Sequence, residues 1–206
     1  MKFTLYPKTQ RVAPDSNKVV LTEKLDGSNL GLFVKGGELC IAQRNHIFGL
    51  DELEKVKGSL YKGLYAYLKK YGKELEETMY PDSVVFGEWL GTGRIKYPEV
   101  GDSLERWYTF AKGRVDDDYN VARLDYDLAN LCYSFGGELP DCVCKVPVIV
   151  TLDYIPDISE LDAIYQRYSE EVGRQVEGII VLANNAPLKY VRRKNGKETP
   201  HTYRGD

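Results

Sequence analysis

A lysine set before an Asp-Gly pair, Lys24-Leu25-Asp26-Gly27, stands between an apolar run, Val19-Val20-Leu21, and an alternating one, Leu30-Gly31-Leu32-Phe33-Val34. This pattern predicts a strand, a tight turn and a second strand. The lysine then sits where the first strand ends, beside a turn whose glycine lets backbone approach a ligand closely. A lysine amine is a nucleophile only when neutral. With a pKa of about 10.4, roughly one free lysine in a few thousand is neutral at pH 7. Nearby cations and partial desolvation raise that fraction. Covalent chemistry at Lys24 therefore calls for nearby positive charge. Taken alone, Lys24-Leu25-Asp26-Gly27 has a plain alternative, an ordinary Asp-Gly surface hairpin.

The elements that must position these residues follow from periodicity. Residues 1–50 read as strands and turns, with Gly36-Gly37 as a hairpin signal between Leu32-Phe33-Val34 and Leu39-Cys40-Ile41. From Asp51 the period changes. Leu53, Val56, Leu60, Leu64, Leu68, Tyr71 and Leu75 recur every three or four residues, which predicts one helix through Gly58 and Gly63. Ser83–Leu90 is a short apolar strand carrying Glu88, and Arg106–Ala111 is another strand. A second helix is expected with Val121, Leu124, Leu128, Leu131 and Phe135 on one face, ended by Gly136-Gly137. Val146–Val150 reads as a strand, Ser159–Asp162 as the start of a third helix, and Val176–Leu182 and Leu188–Val191 as strands. The expectation is a single α+β domain over residues 1–206, strand-rich, with helices flanking antiparallel sheets.

Composition narrows the class. The 206 residues are 43% apolar and include 16 tyrosines, enough for a real core, and the net charge is −3. That balance argues against gripping nucleic acid by global charge, but not against a local basic groove. Lys189, Arg192, Arg193, Lys194, Lys197 and Arg204 crowd the C-terminal stretch, where a solvated tail is the plain reading. No long apolar run or signal-peptide pattern is seen, so a soluble cytoplasmic protein with no membrane partner is expected. Cys40, Cys132, Cys142 and Cys144, with only His46 and His201 to add imidazole, do not have zinc-ribbon spacing. Free thiols fit better, with Cys142 and Cys144 on one face of a strand.

The order of the charged residues resembles that of the covalent nucleotidyltransferases, which comprise DNA ligases, RNA ligases and mRNA capping enzymes. Lys24-Leu25-Asp26-Gly27 is similar to their Lys-x-Asp-Gly nucleophile motif. Gln43-Arg44-Asn45, Phe86-Gly87-Glu88-Trp89, the Tyr108 and Phe110 strand, Glu177-Gly178-Ile179-Ile180-Val181 and Lys189 resemble the later motifs in their proper sequence. Together the matches run over residues 23–191. Asn29, where DNA ligases and capping enzymes usually carry arginine, points within that superfamily to ATP-dependent RNA ligases of the T4 RNA ligase 2 and editing-ligase type.

The resemblance implies a nucleotidyltransferase fold, related to ATP-grasp, without an appended OB-fold. It implies ATP as cofactor with Mg²⁺ or Mn²⁺, AMP carried on Lys24, and joining of RNA 5′-phosphate and 3′-hydroxyl ends, as in RNA repair. It also implies roles. Lys24 is the nucleophile, Glu23 reads the adenine amino edge through its side chain or backbone carbonyl, and Asn29 and Arg44 contact the nucleotide or the end to be joined. Glu88 holds the ribose, Tyr108 or Phe110 stacks on the base, Glu177 lies at the metal, and Lys189 binds the α-phosphate. One departure stands out. The final motif is usually Lys-x-Lys, and here Val191 takes the second lysine's place in Leu188-Lys189-Tyr190-Val191-Arg192-Arg193-Lys194. Strand alternation makes Arg193 the replacement expected at the nucleotide. The rivals are a minimal DNA ligase, an RNA-capping guanylyltransferase and a nucleotide- or RNA-binding module without turnover. An RNA grip supplied by a partner protein or domain is a further expectation.

Overall fold

A computed structural model of the chain describes residues 18–43, 46–55, 63–91 and 93–191. Among these, two compact units form: one of residues 27–94 and 99–145, the other of residues 18–26, 95–98 and 146–191. Each unit is built on its own sheet.

The second unit holds four antiparallel strands: β1 (Val19–Lys24), β9 (Val148–Leu152), β10 (Gly178–Ala183) and β11 (Ala186–Val191), in the order β11-β10-β1-β9. Register decides which side chains share a face, because residues directly opposite on paired strands point the same way. Lys24 faces Gly178 and Thr22 faces Ile180 on β10, while Gly178 and Ile180 face Val191 and Lys189 on β11. Lys24, Thr22, Ile180, Lys189 and Val191 therefore share one face. The other face carries Val19, Leu21, Ile179, Val181, Ala183, Leu188 and Tyr190, which form a core with Leu161.

Leu161 belongs to α3 (Ile158–Val172), whose start is fixed by a capping box. Asp157 accepts from the Glu160 N–H, and Glu160 accepts from the Asp157 N–H, both at 2.9 Å. The expected third helix is present within one residue of its predicted start.

The first unit holds seven strands: β2 (Ser28–Lys35), β3 (Glu38–Ala42), β4 (Ile47–Gly49), β5 (Ser83–Trp89), β6 (Trp107–Val115), β7 (Val121–Asp125) and β8 (Cys144–Lys145). Six run in the order β4-β3-β2-β5-β6-β7, all antiparallel, and β8 pairs with β6 in parallel. The β2–β3 hairpin turns at Gly36 and Gly37, with φ of 63° and 84°, as the glycine pair predicts. Two helices, α1 (Leu50–Lys55) and α2 (Leu64–Thr78), accompany the sheet. Leu64, Tyr67, Leu68, Gly72 and Leu75 form the buried stripe of α2, and the Tyr67 ring lies 5.3 Å from that of Trp89.

The strand, turn and strand expected around Lys24–Gly27 are present as β1 and β2, and because the two strands lie in different sheets the turn is a crossing from one sheet to another and not a hairpin. Three expectations are corrected. The single helix from Asp51 to Leu75 is not continuous. Gly63 has a φ of 83° immediately before α2, a left-handed conformation that ends helical propagation. Residues 121–135 are not an α-helix. They make the strand β7 and then a 3-10 helix, Leu128–Ser134, whose buried Leu128, Leu131 and Ser134 recur every three residues. Cys144 is in a strand but Cys142 precedes it in a turn. All four cysteines are free, as expected.

Candidate active site

Lys24 ends β1, with its side chain 21% exposed. Its Nζ donates a hydrogen bond to Glu177 Oε2. Glu177 immediately precedes β10, and the next residue, Gly178, stands opposite Lys24 in the register. A Cβ at Gly178 would lie 2.1 Å from the Tyr190 carbonyl oxygen. Only glycine lets β11 come this close, which keeps Lys189 in register on the face that carries Lys24.

Beneath Lys24, Glu23 points to the opposite face, and its side chain is fully buried. Arg174, just beyond the C-terminal end of α3, grips it with two nitrogens: Nη1 donates to Oε1 at 2.6 Å and Nη2 to Oε2 at 2.9 Å. The Tyr168 hydroxyl donates to Oε2 at 2.8 Å. The Arg174 guanidinium also stacks on Tyr97, 4.5 Å from the ring centroid. In turn, the Tyr97 hydroxyl accepts from the Asp26 N–H at 2.6 Å, and Asp26 Oδ2 accepts from the Ile95 N–H at 2.9 Å. Burial is the main cause that raises the Tyr97 phenol above its usual range, so it stays a neutral phenol. Glu23, immediately before Lys24, and Asp26, two residues after it, are thus clamped, Glu23 through its carboxylate and Asp26 through both its backbone N–H and its carboxylate. Arg174, Tyr168 and Tyr97 were not foreseen, because their spacing carries no motif and their partners are far away in sequence. The Glu23 carboxylate, expected at an adenine edge, is taken up by this network.

In the seven-stranded unit, Asn29 stands opposite Glu88 on β5, and Glu88 stands opposite Tyr108 on β6. Three expected nucleotide contacts thus share one row and one face. The Gly27 N–H donates to Glu88 Oε1 at 3.1 Å. A Cβ at Gly27 would lie 2.4 Å from the Trp89 carbonyl oxygen and 3.0 Å from Glu88 Cγ, so the glycine of the Asp-Gly pair is needed for this approach. Phe110 is separated from the row by an irregularity: Gly87 pairs with Thr109 but Phe86 with Ala111, which places Phe110 at a bulge in the ladder. Arg44 and Arg193 lie outside the described residues. Among the described residues no group of three or more His, Cys, Asp or Glu side chains could hold a metal ion.

Residues 17–191 match the RNA ligase family. This chain belongs to that family. Similar solved structures include an archaeal ATP-dependent RNA ligase, with a TM-score of 0.51 and 19% identity over 90% of this chain and 48% of that one. An RNA ligase of Naegleria gruberi with PPi has a TM-score of 0.54 and 16% identity, covering 91% of this chain and 56% of that one. A point mutant of the same Naegleria ligase, solved with ATP and Mn, gives 0.52 and 15% over the same shares. These likenesses carry the fold, which is the nucleotidyltransferase type of the RNA ligases. The chain spans about half the length of the solved ligases it resembles. No curated protein matches it. Among the described residues no helix is long and apolar enough to cross a membrane.

Proposed function

We propose that this chain is the nucleotidyltransferase part of an ATP-dependent RNA ligase, and that its two compact units act as one catalytic domain over residues 1–206. The observation that carries the reading is the pairing of Lys24 with Glu177 across two neighbouring strands, with Lys189 on the same sheet face. In a chain of the RNA ligase family, that lysine is the group to bear the nucleotide.

In the first step, Lys24 Nζ attacks the α-phosphorus of ATP. A P–N bond forms, the bond to the bridging oxygen breaks, pyrophosphate leaves, and the amine gives up a proton to solvent. An RNA 5′-phosphate oxygen then attacks the same phosphorus and takes AMP from the lysine. A 3′-hydroxyl attacks the RNA phosphorus, the strand is joined, and AMP leaves. Phosphoryl transfer of this kind is mainly positioning and charge neutralisation. Lys189 supplies positive charge for the α-phosphate. Glu88, oriented by the Gly27 N–H, accepts from ribose hydroxyls, and Asn29 and Tyr108 complete the row for sugar and base. The amine of Lys24 is directed at Glu177 Oε2, so that contact is given up before attack.

Glu177 also suits a divalent cation. Mg²⁺ is bound through one or two carboxylates together with substrate phosphates and waters, and needs no all-protein cage. A single carboxylate beside the nucleophile fits a metal that arrives with the triphosphate, and such a metal supplies charge neutralisation at the phosphates. Mn²⁺ would serve in the same way.

The test is covalent labelling. Incubated with ATP labelled in the α-phosphate, the protein is expected to carry label through a denaturing gel, and Lys24→Ala is expected to carry none. Label that persists in Lys24→Ala would overturn the reading.

A further inference from the structure

A cleft of about 460 Å³ opens at the β6–β7 edge of the seven-stranded sheet, on residues that the labelling chemistry does not use. Its lining includes Lys112 and Arg114 from β6, Arg123 and Asp125 from β7, Tyr133 from the 3-10 helix and Tyr80 from the turn before β5. We propose that this cleft binds a single-stranded segment of the RNA substrate, its phosphates on the three cations and a base on the tyrosine rings. The proposal rests on the RNA ligase reading for the identity of the polymer.

The charge in the cleft is unbalanced. Three cations face one acid, and that acid is engaged: Asp125 Oδ1 accepts from the Asp127 N–H at 2.9 Å and Oδ2 from Asn130 Nδ2 at 3.0 Å. Among the described residues no ion pair and no side-chain hydrogen bond engages the guanidinium of Arg114 or of Arg123. The chain as a whole is acidic at −3, so a local cationic face is not a consequence of composition.

The rings are equally out of place. Tyr80 is 54% and Tyr133 62% exposed, and these two are among only four large apolar side chains so exposed among the described residues. Both line this cleft. Lys112 Nζ lies 5.5 Å from the Tyr133 centroid, a cation beside an open ring face. Cationic grooves that carry exposed aromatic rings bind single strands, because unstacked bases can settle on the rings. A duplex hides those base faces.

The backbone is shaped to the same end. Lys112 pairs with Asp125 but Arg114 with Ala122, so two residues of β7, Arg123 and Leu124, oppose the single Gly113 of β6. This is a β-bulge, a device that re-aims a side chain. Arg123 has a φ of 54°, a left-handed conformation that is costly for a non-glycine residue. The residue that bears this cost is one of those lining the cleft.

The experiment uses the full chain and a fluorescein-labelled single-stranded RNA oligonucleotide, with anisotropy read over a salt series. The variants are Arg114→Ala combined with Arg123→Gly, the glycine being free to keep the left-handed φ, and separately Tyr133→Ala. All three positions are exposed, and none belongs to the labelling chemistry, so Lys24 adenylylation is expected to match wild type and to report that each variant is folded. The arginine pair is expected to flatten the slope of log K against log salt by about 1.4, at roughly 0.7 per single-strand phosphate contact. Tyr133→Ala is expected to weaken binding by about tenfold with the slope unchanged. The same oligonucleotide annealed into a duplex is expected to compete less well. Wild-type affinity and slope in both variants, no binding by the wild type, or stronger competition by the duplex would each overturn the assignment. Absence of label on Lys24 would instead overturn the ligase reading, and the binding arm would still decide the cleft.

Discussion

Lys24 Nζ donates a hydrogen bond to Glu177 Oε2 although 153 residues separate the two. Pairing of β1 with β10 brings them together, and Glu177 is placed at the strand's entry, where its carboxylate reaches the end of the neighbouring strand. Glu177→Gln keeps the shape and an oxygen acceptor but removes the charge. Adenylylation is expected to fall by about tenfold or more, equivalent to at least roughly 1.4 kcal/mol in the barrier, with a shifted dependence on Mg²⁺ or Mn²⁺ concentration. Rate of label against metal concentration measures both. An unchanged rate and an unchanged titration would make Glu177 an ordinary strand-edge acid.

The Asn29–Glu88–Tyr108 row separates two aromatics that the sequence left equivalent. Tyr108 stands beside Glu88 in register, whereas Phe110 falls at the irregularity. Tyr108→Ala is therefore expected to raise the ATP concentration needed for half-maximal labelling several-fold, in line with loss of a ring contact worth about 1 kcal/mol. Phe110→Ala is expected to change it less. Glu88→Ala is expected to cost about tenfold in labelling rate, and Gly27→Ala to cost a comparable amount, since its Cβ would push on Glu88 Cγ and the Trp89 carbonyl. A larger effect from Phe110→Ala than from Tyr108→Ala would reverse the assignment.

The Glu23–Arg174 pair predicts a stability effect distinct from catalysis. Side-chain exposure is 0% for Glu23 and 8% for Arg174, so removing either partner strands a charge away from water. Arg174→Ala is expected to destabilise the fold by about 3–5 kcal/mol. The double variant Glu23→Gln with Arg174→Gln is expected to recover part of that loss, because no unpaired charge remains. Urea unfolding of the three proteins checks this, and a double variant less stable than Arg174→Ala would contradict it.

What the sequence conveyed, and what it did not, divides along local and distant causes. The β2–β3 hairpin, β5 and α3 were legible because glycine turns, apolar runs and capping residues act within a few positions. The region 121–135 was misread for a physical reason. Val121–Asp125 is an exposed edge strand without apolar alternation, and a three-residue period in Leu128, Leu131 and Ser134 imitates the stripe of an α-helix. Lys24, Glu88, Glu177 and Lys189 could be singled out because their motifs are local. The clamp of Arg174, Tyr168 and Tyr97 around Glu23 and Asp26 could not, since it exists only after β1 has paired and α3 has packed. The crossing of the chain between two sheets at Asp26-Gly27 was hidden likewise, because an Asp-Gly turn reads the same in a hairpin.

The same clamp bears on nucleotide choice. Adenine offers an amino group at its Watson–Crick edge where guanine offers a carbonyl, so an acceptor placed there favours ATP. The Glu23 carboxylate is occupied by Arg174 and Tyr168 on the core side of the sheet, and Lys24 projects from the other side. The contact expected of residue 23 is then assigned to its backbone carbonyl, which substitution of the side chain leaves in place. Glu23→Gln is accordingly expected to label less well, through weakened folding, but to keep the wild-type ratio of ATP to GTP labelling. Because both nucleotides are tested on the same preparation, the ratio does not depend on the folded fraction. A collapse of that ratio in Glu23→Gln would show that the carboxylate leaves Arg174 when nucleotide binds, and preferential labelling of the wild type by GTP would move the chain toward capping chemistry.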